Sequence, residues 1–73
     1  MKKTLYYTVE KGVDSTGESL TGIKTITVYE MVDNAPKKFC SIETTIDENS
    51  RKQIREYLDD NGYGDDEFDL ILL

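Results

Sequence analysis

Three stretches of the chain alternate apolar and polar side chains with a period of two, and each is cut from the next by a short run of turn-forming residues. Only the two-residue repeat of a strand gathers such a set onto one face, so the pattern calls for consecutive strands. In the first stretch Leu5, Tyr7 and Val9 alternate with Thr4, Tyr6, Thr8 and Glu10, and the former set is expected to face a core. GVDSTGESLTG follows, with three glycines around a polar cluster, and reads as a hairpin connection with mobile strand extensions. Residues 23–32, IKTITVYEMV, form the second strand, with Ile26 and Val28 on one face and Thr25, Thr27 and Tyr29 on the other. Alternation alone leaves open which face is buried. DNAPK then supplies a turn, since Pro36 fixes its own φ and drives Ala35 out of the helical region. In KFCSIETTI, Cys40, Ile42, Thr44 and Ile46 oppose Phe39, Ser41, Glu43 and Thr45. Three strands with short joins favour an antiparallel meander.

The period then changes. Ile54 and Leu58 lie one helical turn apart with Tyr57 beside them, and Ser50 followed by Gln53 fits a capping box, with Asp47 as a competing cap. A helix of about three turns is predicted to reach Asp60, with Gly62 in the left-handed position that ends it. Phe68, Leu70 and Leu72 alternate with Asp69 and Ile71, which predicts a fourth strand. The expected fold is a single α+β domain over residues 1–73, β-β-β-α-β, a small and mostly antiparallel sheet with one helix packed on one face.

Size and composition bound what such a domain can do. At 73 residues the core is thin, because a domain this small buries only about 60 % of the surface its unfolded chain exposes. Cys40 is the single cysteine, so no intrachain disulfide can brace the fold, and a reducing compartment is expected. After Lys2 and Lys3 the apolar run is only LYY, too short for a signal peptide or a membrane span. The expectation is a soluble, cytoplasmic protein. Its net charge of −6 argues against direct binding to nucleic acid or an anionic membrane, which require a basic footprint. Residues 1–46 hold six lysines and six acids, whereas residues 47–73 hold nine acids against Arg51, Lys52 and Arg55, so the whole excess lies in the last third.

Most of it falls in DDNGYGDDEFD, residues 59–69, where six of eleven side chains are carboxylates. As an EF-hand loop with Gly64 in the sixth position, the segment puts Asp59, Asn61 and Asp65 at positions one, three and seven. Tyr63 then takes the fifth position and Leu70 the twelfth, where a bidentate glutamate is needed. No specific calcium or other metal site is expected, and no cofactor. Catalysis is not expected either: the chain has no histidine, no nucleophile elbow and no phosphate-cradling loop. Cys40, on the apolar side of its strand, reads as a packed thiol rather than a reactive one. One local rule is broken within the helix. Arg51 and Lys52 lie at its positive end and Asp59 and Asp60 at its negative end, each opposing the macrodipole by about 0.3–1 kcal/mol. Rules broken without evident compensation gather where function is.

In size, acidity, lack of histidine and β-rich α+β pattern, the chain resembles the small acidic accessory proteins of phages and prophages that mimic DNA, the anti-restriction and anti-CRISPR type. The residues that carry the resemblance are DDNGYGDDEFD and the preceding SRKQIREYL, and they cover the C-terminal third. It implies an inhibitor that occupies the basic nucleic-acid site of a protein partner, itself a nucleic-acid-binding protein. Glu56, Asp59, Asp60, Asp65, Asp66, Glu67 and Asp69 would supply charge and Tyr63 an aromatic anchor. The alternative expectation is a homodimeric structural or adaptor module without catalytic activity, paired through a sheet edge or face to enlarge its thin core.

Overall fold

The computed structural model describes residues 3–14, 16, 18–64 and 67–73. In chain order these form β1 (Lys3–Val13), β2 (Ser19–Val32), β3 (Ala35–Thr45), α1 (Ser50–Asp60) and β4 (Phe68–Leu72). The strands make one sheet in the order β3-β2-β1-β4. β1 with β2 and β2 with β3 pair antiparallel, the meander that the alternation predicts. β4 joins β1 in parallel, because α1 carries the chain back along the sheet before the last strand begins.

One face of the sheet holds the core. Leu5, Ile26 and Val28 are wholly buried beneath Ile54 and Leu58 of α1, with Tyr7, Cys40, Phe68 and Leu70 completing the cluster. This settles the second strand: Ile26 and Val28 face the helix, while Thr27 and Tyr29 face away. Thr25, on the away side, is nonetheless buried, because its hydroxyl donates to the Val13 carbonyl at 2.7 Å. The β1–β2 ladder extends into the hairpin connection as far as the Val13–Ser19 pair, past a register shift beside Gly12, whose φ of +76° suits glycine.

The β2–β3 turn is tighter than DNAPK suggests. Asp33 and Asn34 both take positive φ, 53° and 65°, which matches the right-handed twist of a hairpin with a two-residue loop. Ala35 and Pro36 therefore belong to β3, where proline is tolerated because β3 is an edge strand. A bulge corrects the reading of Phe39. Val28 pairs with Cys40 but Tyr29 with Lys38, so Phe39 is the extra residue. It turns to the helix side, where its ring lies 6.1 Å from that of buried Phe68. Ile46 falls beyond β3 and is partly exposed.

Helix α1 spans the predicted residues but is capped differently. Asn49, with extended backbone, is the N-cap and accepts from the Lys52 N–H at 3.0 Å, so the proposed Ser50–Gln53 capping box does not form. Gln53 instead reaches Glu48. The C-terminus ends at Gly62, φ +85°, as predicted: Gly62 N–H donates to Asp59 and Tyr63 N–H to Leu58, a Schellman pair. The Asn61 side chain also donates to the Tyr57 carbonyl at 2.7 Å.

Candidate functional site

The Schellman turn decides where the acidic segment goes. It directs Tyr63 back over the sheet, with its ring 5.3 Å from Phe68 and 6.2 Å from Phe39. The three rings meet at tilted and edge-on angles, the arrangement that their quadrupoles favour. Tyr63 thus packs against both rings while 37 % of its surface stays exposed. Phe68 is the partner that sequence reasoning assigned only to a strand.

Glu56, Asp59 and Asp60 are exposed on α1, and Glu67 is exposed just before β4. Glu67 is held by its backbone: its N–H donates to Gly64 and its carbonyl accepts from Lys3. These four carboxylates belong to the helix C-terminal half and the connection that follows it. Asp69 does not join them. Phe68 and Leu70 point into the core, so Asp69 between them projects from the sheet's opposite face, beside Thr4. Glu67 lies before the strand, which begins at Phe68, so strand alternation does not set it beside Asp69. Asp65 and Asp66 lie outside the described residues.

The last turn of α1 contains no basic residue and its first turn no acidic one, and at the N-terminal end the nearby anion is Glu48, which precedes the N-cap and accepts from Gln53 at 3.4 Å. At the C-terminal end Asp59 and Asp60 add to the negative potential of the terminal carbonyls. At the other end Arg51 has a tertiary task. Its Nη2 donates to the Leu70 carbonyl at 3.0 Å and its Nε to the Tyr7 hydroxyl at 3.3 Å. Lys3 N–H donates to Glu67 and Leu73 N–H to Tyr7, so by the parallel ladder Phe68, Leu70 and Leu72 aim their backbone groups at the free edge. Arg51 therefore pins the outer edge of the last strand. Nothing in the sequence announces this contact except the unfavourable placement of a cation at that end.

Other chemistry finds little footing. Burial pushes the Cys40 thiol up to about 11, with the positive charge of Lys38 opposing the shift, so it stays protonated at neutral pH. Lys24 is buried along its stem and donates from Nζ to the Glu48 carbonyl, tying the loop before α1 to β2. Among the described residues no three potential metal ligands come together, and no helix is long and apolar enough to cross a membrane. No family model matches the chain, and no curated protein or solved structure is significantly similar to it.

Proposed function

We propose that this domain is a non-catalytic protein-binding module, an inhibitor that occupies the basic nucleic-acid-binding site of a protein partner. The observation that carries the reading is the exposure of Glu56, Asp59 and Asp60 on the C-terminal half of α1 and of Glu67 in the connection after it. Asp65 and Asp66 fall between these residues in the chain and belong to the same proposal; Asp69, on the other face, drops out of it. The mechanism is electrostatic. Exposed carboxylates and the helix's own terminal dipole steer the domain to a basic channel and occupy it in place of phosphates. The phage-type mimic identity and a cytoplasmic setting belong to this reading and rest on the same acidic segment.

The test is capture of partners from a bacterial lysate by the wild type and by Asp59→Lys with Asp60→Lys. Both positions are exposed, and lysine there complements the helix end, so the variant folds. A nucleic-acid-binding protein that is captured by the wild type, lost on reversal and displaced by duplex DNA is the expected result. Capture that survives both reversal and competing DNA overturns the reading.

A further inference from the structure

Helix α1 packs on one face of the sheet, and among the described residues no second helix lies on the other, where Thr25 is buried at one end against Val13. Across the middle of this other face runs one row of cross-strand neighbours, Lys38, Tyr29, Tyr6 and Ile71, contributed by β3, β2, β1 and β4 in order. Met31, 47 % exposed, lies two residues beyond Tyr29 on the same side, and Ile71 is 44 % exposed. Thr8 and Thr27 continue the uncharged centre. We propose that this face binds a second copy of the chain, sheet against sheet, to form a two-fold dimer.

Three observations select that occupant. The first is that both sheet edges are closed to strand addition. β3 carries Pro36, Lys37, Lys38 and the bulge at Phe39, while the β4 edge carries the Arg51 guanidinium on its Leu70 carbonyl. Association is thereby directed away from the edges and onto the face. The second is charge. Lys38 marks the β3 side of the face and Asp69 the β4 side, one residue pair along from Ile71. A two-fold axis along the strands lays β3 of one copy over β4 of the other, so each Lys38 meets Asp69 of the second copy. Glu10 and Glu43 share the face but lie past the end of β4, at the rim. The third is area. Four strands make a face about 19 Å wide, and it is about 23 Å long over seven residues of β1–β3 and about 17 Å long at β4, which has 5 residues. With side-chain relief that buries on the order of 700 Å² per copy, close to the ~800 Å² per partner of a standard stable interface. The acidic end of α1 is left free in such a dimer, so this inference stands apart from the proposed inhibition.

Sedimentation equilibrium of the full chain at sub-millimolar concentration tests it, with Ile71→Lys on the face and Leu72→Lys on the other side of the same strand as a matched pair. Both side chains are exposed, and circular dichroism verifies that each variant folds. The expected result is a dimer of the 8.4 kDa chain that Ile71→Lys weakens at least roughly tenfold and Leu72→Lys leaves intact. A monomer at every concentration overturns the proposal. So does a dimer in which Leu72→Lys is the damaging change and the Leu70 and Leu72 amides become protected from hydrogen exchange, since that pattern marks edge pairing. Loss of partner capture in the Asp59/Asp60 reversal bears only on the acidic surface, so the two readings fail separately.

Discussion

Arg51 and Lys52 are neighbours that break the same electrostatic rule for different reasons. Both put a cation at the positive end of α1, but Arg51 recovers the loss through its bonds to Leu70 and Tyr7, whereas among the described residues no side-chain hydrogen bond of that kind offsets Lys52. Replacing Arg51 by alanine is expected to lower stability by about 1 kcal/mol, the net worth of an exposed hydrogen-bonded pair reduced by solvation of the freed carbonyl. Lys52→Glu is expected to raise it by about 0.5 kcal/mol, because a carboxylate at that position complements the dipole and can reach back to the N-cap. Urea unfolding of the two variants checks both signs. An Arg51→Ala variant as stable as the wild type would show that the Arg51 contacts contribute nothing.

At the scale of elements, the caps set the limits of α1 and thereby the path of the acidic connection. Asn49 is the residue whose side chain satisfies a first-turn N–H, so Asn49→Ala is expected to cost about 1 kcal/mol and Ser50→Ala less than about 0.5 kcal/mol. Gly62→Ala is expected to cost about 1 kcal/mol, because a β-carbon is strained at a φ of +85° even though open space surrounds it. Thermal unfolding of the three variants ranks them. A larger loss at Ser50 than at Asn49 would restore the capping box that the sequence suggests. The bulge in β3 matters for a different reason. A single extra residue turns Phe39 from the open face to the core side, and the rings of Tyr63 and Phe68 close over it.

For the molecule as a whole, one helix on one sheet face makes a single thin core, and stability is concentrated in few side chains. Ile54 is wholly buried at its centre. Ile54→Ala is expected to remove about 2–5 kcal/mol, a large share of the 5–15 kcal/mol typical of small domains. Far-ultraviolet circular dichroism and tyrosine fluorescence should lose their signals together, since helix and sheet share that core. A sheet that outlasted the helix would mean two independent units. The two faces of the sheet then divide the labour: one holds the core under α1, and the other presents tyrosines and threonines outward.

Much of this plan was readable from residue order, because hydrophobic period and turn chemistry are local. Leu5–Tyr7, Ile26–Val28 and Phe68–Leu70 report their own strands, Ile54–Leu58 reports the helix, and Gly62 reports its end. The acidity of the last third and the absence of histidine are likewise properties of the chain itself. Tertiary structure alone decided what depends on partners distant in sequence. It removed Asp69 from the acidic group, because a strand's alternation is referred to a core that α1 and β1 define. It packed Tyr63 into an aromatic cluster, because the turn after α1 aims it at a bulge more than twenty residues earlier. It also gave Arg51 a purpose, since the free edge of β4 exists only once that strand has paired with β1.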